Sequence, residues 1–191
     1  EQRTLFPGRW CAVAFACDVP EPGDALAVDF AGWPLAIVHG GDGRVRAFHN
    51  VCRHRATRVV EGACKGLSRL ICPWHAWTYG LDGRLVGTPR IGGERAGEDP
   101  AFDKSDVDLK EVRTALWLGL VVVNIDGQAP PFADHIRPLE ALFTGYDLGD
   151  LRVGNAWGID FPGNWKLAVE NAIEDYHLPY IHRELVSGVR D

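Results

Sequence analysis

Cys52-Arg53-His54-Arg55 and, further on, Cys72-Pro73-Trp74-His75-Ala76-Trp77-Thr78-Tyr79-Gly80-Leu81-Asp82-Gly83-Arg84-Leu85 decide how this sequence reads. Each stretch offers one thiol and one imidazole at a short fixed offset, on separate arms of the chain. Two short loops of this kind can clamp the opposite ends of a flat iron–sulfur cluster. Such loops need a scaffold of tight turns, and the flanking sequence supplies one.

Working outward, ALAVDF (25–30), PLAIVHG (34–40) and RVRAFHN (44–50) are short and rich in apolar or β-branched residues, and Gly-Asp-Gly separates the last two. These are strand and hairpin signals. Asp82-Gly83 marks a second hairpin, and LKEVRTALWLGLVVVNID (109–126) reads as two more strands, the later one buried on both faces. Gly87 to Asp108, with Pro89 and Pro100, lacks hydrophobic periodicity and reads as a long surface loop. The sequence predicts an antiparallel β-domain over 1–128.

After Pro130-Pro131 the character changes. Phe132, Ile136, Leu139 and Phe143 recur at helical spacing, interrupted by Pro138. A strand near Leu151 to Phe161 and a helix from about Asn164 follow, so a second domain is expected over 129–191, giving an α+β chain with no internal repeat.

The ligand candidates on the two arms are Cys52, His54, Cys72 and His75. A Rieske [2Fe–2S] centre takes two cysteines on one iron and two histidines on the other. Structural zinc sites also use two of each, but usually pair the cysteines on one arm and the histidines on the other, whereas this chain mixes them. Cys11, Cys17 and Cys64 read as ordinary thiols, because five cysteines at these spacings make no disulfide framework.

CRHR followed by CPWHAWTYGLDGRL resembles the Rieske signature of ring-hydroxylating and related Rieske non-haem iron oxygenases. The likeness takes in Trp74, Trp77, Tyr79 and the Asp82-Gly83 turn as well as the four ligands. It implies that Cys52 and Cys72 hold the inner iron and that His54 and His75 hold the outer, more exposed one. Ala56 and Ala76 stand where the family usually has Gly, and a methyl group there is expected to crowd the loops slightly. The chain lacks the extra loop cysteines of high-potential Rieske proteins, which places the expected potential low in the Rieske range, about −150 mV.

The second informative segment is NWKLAVENAIEDYHLPYIH (164–182). On a continuous helix Glu170, Glu174 and His177 share one face. His182 would point roughly 140° from His177 at about 100° per residue. Pro179 is expected to kink or end the helix between the two histidines and so let them share a metal. Two imidazoles and a carboxylate with open positions is the arrangement of a mononuclear non-haem Fe(II) site.

The resemblance extends here through Trp165-Lys166, Glu170-Asn171, Glu174, Tyr176-His177 and His182. It implies that His177 and His182 are iron ligands, that Glu174 bridges the iron to the cluster of a neighbouring subunit, and that Asn171 and Asp175 belong to the same catalytic segment. Glu174 is preferred over Asp175 because it shares the helix face with His177. The third ligand would be a downstream carboxylate, and Asp191 is a weak candidate for it. The implied second domain is the start of a helix-flanked antiparallel sheet. The implied assembly is a homotrimer or higher oligomer that takes electrons from an NAD(P)H-dependent reductase, with or without a ferredoxin, and turns O2 on a small organic substrate, aromatic or quaternary ammonium. A Rieske ferredoxin is the competing reading, although it leaves the histidine pair without a purpose.

Composition narrows the partners. The net charge of −6 argues against binding through many phosphate contacts, so nucleic acid is not expected. No apolar run approaches the roughly 20 residues of a membrane helix. The N-terminus lacks a secretory layout, which makes the cytoplasm the expected location.

Overall fold

A strand that is apolar at almost every position must bury both of its faces. Trp33–His39 does this: Leu35 and Ile37 enter one core and Ala36 and Val38 another. The computed structural model describes residues 1, 3–93, 99–104, 106–146, 154–155 and 158–186. Among the described residues ten strands follow in order: β1 (Cys11–Phe15), β2 (Ala25–Phe30), β3 (Trp33–His39), β4 (Val45–His49), β5 (Ala63–Cys64), β6 (Leu70–Ile71), β7 (Thr78–Tyr79), β8 (Leu85–Gly87), β9 (Glu111–Trp117) and β10 (Leu120–Asn124). Seven of them form an antiparallel sheet in the order β1-β10-β9-β4-β3-β2-β5, and β6-β7-β8 form a smaller one.

The two faces of the large sheet lead to different surroundings. One core gathers Val19, Leu35, Ile37, Ala47, Val112, Val121 and Val123. The other packs Ala36, Val38 and Phe48 against Leu70, Trp77 and Tyr79, and both Cys52 and Cys72 belong to it. The thiols are therefore set in the seam where the small sheet meets the large one.

Strands β2, β3, β4, β9 and β10, and the hairpins β3–β4 and β7–β8, were expected from the sequence. The two-residue strands β5 and β6 are too short to show periodicity, and β1 opens the chain with mixed burial. The structure also shows a repetition that the sequence reading missed. The turns Gly40–Arg44 and Gly80–Arg84 close alike: Gly40 and Gly80 N–H donate to the Arg44 and Arg84 carbonyls at 2.8 Å, Gly43 and Gly83 N–H to the Gly40 and Gly80 carbonyls at 3.0 Å, and the Arg44 and Arg84 N–H to Asp42 and Asp82 Oδ1 at 3.2 Å. Gly83 is required twice over, because its φ is +85° and a Cβ would lie 2.4 Å from the Phe48 ring.

Helix α1 (Phe132–Phe143) runs continuously through Pro138, and of its apolar stripe only Ile136 is buried. Its entry is fastened to the sheet. The Trp10 indole donates to the Pro130 carbonyl at 2.8 Å and packs edge-on against Phe132, while Arg113 donates to the Gly127 and Ala129 carbonyls. Chain contacts divide the molecule into Glu1–Leu151 and Arg152–Asp191. The second unit contains α2 (Trp165–Ile173), whose N-terminus is capped by Asn164, then α3 (Leu178–Ile181) and α4 (Arg183–Val186). Of the strand expected near Leu151 to Phe161, residues 151–153 and 156–157 lie outside the described residues, and the rest carries no strand.

Candidate metal centre

The two arms fold into the same turn. In the first, Cys52 N–H donates to Thr57 O at 2.8 Å and Ala56 N–H to Cys52 O at 2.9 Å. In the second, Cys72 N–H donates to Trp77 O at 2.8 Å and Ala76 N–H to Cys72 O at 3.0 Å. Ala56 and Ala76 have φ of +59° and +55°, a region in which a Cβ costs energy and glycine does not. The expected crowding by these methyl groups is thus corrected: their cost lies in the left-handed backbone that each turn requires.

This common turn buries the thiol and exposes the imidazole. Cys52 and Cys72 are each 2% exposed, whereas His54 and His75 lie at the surface with ring centroids 4.7 Å apart. Trp77, itself buried, stacks on His54 at 4.8 Å and 10°, and Trp74 leans on His75 at 4.7 Å and 34°. A cleft of about 970 Å³ opens over both imidazoles, walled also by Arg90, Ile91 and Phe102. The segment read as a plain surface loop therefore lines the site.

The sulfurs are polarised from different sources. The Tyr79 hydroxyl, fully buried, accepts from Arg53 N–H at 3.0 Å and stands 3.4 Å from Cys52 Sγ, so once Cys52 is a thiolate the Tyr79 proton is the one that can bond between them. Burial, and then the Cys52 sulfur, push the Tyr79 hydroxyl above its ordinary pKa, so it stays a donor. Cys72 meets the backbone amides of Trp74 and His75; burial outweighs them and raises its thiol. Binding iron at Cys72 must displace that proton. Burial, then the charges of His75 and Arg55, hold His54 below the ordinary imidazole range, which favours the neutral form that ligates a metal.

Tyr79 was quoted in the sequence only as part of an aromatic run, and Asn50 only as the last residue of a strand segment. Asn50 is 1% exposed and closes the first arm at its base: its Oδ1 accepts from Val59 N–H at 2.8 Å and Val60 N–H at 3.0 Å, and its Nδ2 donates to Val60 O at 2.8 Å. An asparagine next to a strand end is too common a turn residue to have signalled this.

The chemistry of the donor set fits a mixed-ligand binuclear cluster. Among the described residues no three His, Cys, Asp or Glu side chains converge on one point. Two paired donors per iron, with inorganic sulfide completing each, do not need such a point.

In the second unit the continuous helix expected to carry Glu170, Glu174 and His177 is corrected. α2 ends at Ile173, and Glu174 follows in extended conformation with φ −105° and ψ 145°. The break precedes His177 instead of separating the two histidines. Pro179 sits in the first turn of α3, where its missing N–H costs nothing, and so it starts a helix where a kink was expected. His177 and His182 flank this single turn with ring centroids 5.4 Å apart.

Glu174 binds back to His177: one carboxylate oxygen meets Nδ1 and the other accepts His177 N–H at 3.3 Å. That bond holds the Glu174 carboxyl below its ordinary range and engages Nδ1 of His177, not Nε2. Asn171 lies on α2, and Asp175 lies in the break, its carbonyl accepting from Leu178 N–H at 3.1 Å. The described residues bring two imidazoles together, two of the three ligands of a facial triad; Asp191 lies outside them.

Comparison with known proteins finds a family match over each part of the chain. Residues 9–112 match the Rieske [2Fe-2S] domain, and residues 148–191 match the catalytic domain of the ring hydroxylating alpha subunit. The chain is 35% identical over 189 residues to the glycine betaine monooxygenase oxygenase subunit of Chromohalobacter salexigens, covering 99% of this chain and 41% of that relative. A quaternary ammonium Rieske monooxygenase crystallised with L-carnitine superposes with a TM-score of 0.86 at 29% identity, over 100% of this chain and 53% of that one. Naphthalene 1,2-dioxygenase with bound indole gives 0.80 at 26% identity, over 99% and 43%. The chain thus spans about half the length of the relatives it matches, or less.

Proposed function

Taking as premise that the chain belongs to the Rieske [2Fe–2S] domain family and runs on into the catalytic domain of ring-hydroxylating alpha subunits, we propose that it is the N-terminal part of a Rieske oxygenase's oxygenase subunit. The cofactors of this domain pair are a Rieske [2Fe–2S] cluster and a mononuclear iron. When bound, they supply one-electron transfer and dioxygen activation. The observation that carries the proposal is the joining of two buried thiols and two exposed imidazoles by matching turns, in a chain that also brings His177 and His182 together.

The residues divide the work. Cys52 and Cys72 would hold the buried end of the cluster and His54 and His75 its solvent end. Tyr79 donates toward the Cys52 sulfur and stabilises added negative charge there. His177 and His182 would hold the iron, and Glu174, bonded at Nδ1, would leave His177 Nε2 as the ligating nitrogen. By resemblance Glu174 also links the iron to the cluster, with Asn171 and Asp175 in the same segment. Glu174→Gln in the intact enzyme should leave both metals bound and uncouple cluster oxidation from product formation, and an unchanged single-turnover yield would sink the linking role.

Reducing equivalents come from an NAD(P)H-dependent reductase, with or without a ferredoxin, to a homotrimeric or larger enzyme in the cytoplasm. The relatives favour a quaternary ammonium substrate of the glycine betaine or carnitine class over an aromatic ring. The likeness to naphthalene 1,2-dioxygenase supports the aromatic reading as second choice. A Rieske ferredoxin would leave the match over 148–191 without a purpose. Iron counting on the full-length protein decides: three irons per protomer are expected, and two would return the chain to the ferredoxins.

A further inference from the structure

The neighbouring strands β3, β4 and β9 reach one edge of the large sheet, and each sets one more residue beyond the core there. Residues two apart on a strand share a face. Leu35 pairs with His49 and Ala47 with Val112, and Leu35, Ala47 and Val112 belong to one core. Trp33 therefore lies on the face of Leu35, His49 on that of Ala47, and Lys110, whose carbonyl accepts His49 N–H at 2.9 Å, on that of Val112. An indole, an imidazole and an ammonium group stand side by side where that core ends. Together with Pro34, Val51 and Arg53 they wall a cup of about 470 Å³. The Trp33 and His49 rings lie with centroids 5.7 Å apart. His49 is half-buried, burial holds it below the ordinary imidazole range, and among the described residues no hydrogen-bond partner meets its ring. Among the described residues the two cations share one acid. Arg53 donates to Asp106 O at 3.2 Å and stands 3.7 Å from its carboxylate, and Lys110 pairs with the same carboxylate. The Asp106 side chain is 77% exposed, so this pairing is made in water and is easily exchanged.

We infer that this cup is a binding site for a small aromatic carboxylate, separate from the metal-ligand candidates. Lys110 and Arg53 take the carboxylate, because two cations beside a single exposed acid leave one positive charge over. Trp33, Pro34 and Val51 cover the flat apolar body, and the open His49 ring supplies a further polar contact. Apolar walls with a few convergent polar groups make the usual small-molecule site, and the volume suits one or two rings. A cation is refused by the charge. A bare inorganic anion leaves the indole uncovered. Asp106 holds both cations in the empty cup, so the incoming carboxylate displaces it, and Asp106 is the site's built-in competitor.

Isothermal titration calorimetry of the full-length, metal-loaded protein tests this, with benzoate as the probe. Acetate, which lacks the ring, and benzyl alcohol, which lacks the charge, should each bind about tenfold or more weaker than benzoate. Lys110→Gln should weaken benzoate about tenfold, the usual worth of a hydrogen bond to a charged group. Trp33→Leu should weaken benzoate and leave acetate unchanged. Asp106→Asn should strengthen benzoate about threefold or more, because the competing carboxylate is gone. A purely structural Asp106 would not raise affinity when replaced, and its exposed position keeps this variant informative where Lys110→Gln or Trp33→Leu fails to load the cluster. Equal benzoate affinity in the parent, Lys110→Gln and Asp106→Asn would place the probe elsewhere and overturn the assignment. Acetate binding as tightly as benzoate, or a parent that takes up no benzoate at millimolar concentration, would overturn it as well.

Discussion

The two arms share one turn but are closed by different means. The second arm, Leu70 to Tyr79, is a hairpin whose ends pair as strands, Leu70 with Tyr79 and Ile71 with Thr78. The first arm has no such ladder, and a single buried side chain, Asn50, ties its end at Val59 and Val60. Backbone pairing spreads the work over many bonds, whereas Asn50 concentrates it in one residue. The difference teaches that the same ligand turn can be held by a sheet or by one amide, and that the two arms should fail differently.

The largest expected effect breaks the first arm. Asn50→Ala strands two buried N–H groups and a carbonyl, which at ~1–3 kcal/mol each should cost about 3 kcal/mol or more and release iron. Thr78→Ala in the second arm removes only the hydroxyl bond to Ala76 O at 2.9 Å and should cost about 1 kcal/mol or less. Urea midpoints and iron content of the two variants measure the contrast.

Acid should also be felt in the first arm. His54 is held below the ordinary imidazole range by burial, with His75 and Arg55 adding to it. The unfolded chain titrates near about 6.5, so the folded state takes up its proton later than the unfolded one. The contribution is therefore present above that value and lost as pH falls from it through the lower folded pKa. Urea midpoints of the cluster-free chain should drop between pH 7.5 and 5.5, and the drop should shrink in His54→Gln.

Tyr79→Phe sharpens the comparison at the sulfurs. It removes a side-chain donor from Cys52 and leaves the backbone amides at Cys72 in place. A hydrogen bond that strengthens on reduction by even half of its ~1–2 kcal/mol shifts a one-electron couple by tens of millivolts. The midpoint potential should therefore fall by that much, as read by redox titration.

The smallest effect is the one that the arms share. Ala56→Gly and Ala76→Gly each relieve a left-handed alanine, at a cost in unfolded-chain entropy, and should stabilise by ~0.5–1 kcal/mol. Because the two φ values are so close, the gains should match.

How much of this was legible follows from range. Cys52, His54, Cys72 and His75 announced themselves because ligand chemistry dictates residue type and local spacing. Strands β2, β3 and β4 did so because burial imposes a period over five or more residues. Asn50 and Tyr79 were silent, since their partners are set by the tertiary fold and not by any periodicity. The helix carrying Glu174 was misjudged because Pro179 was weighed as a breaker, whereas at the start of a short helix it is a favoured residue.

The central claim is that one Cys and one His from each arm ligate a single cluster. Pulsed EPR of the dithionite-reduced chain, with 15N-labelled histidine, tests it most directly. Two coupled histidine nitrogens are predicted for the parent and one for His75→Cys. A reduced chain with no coupled histidine nitrogen, or a metal centre with no EPR signal at all, would contradict the account.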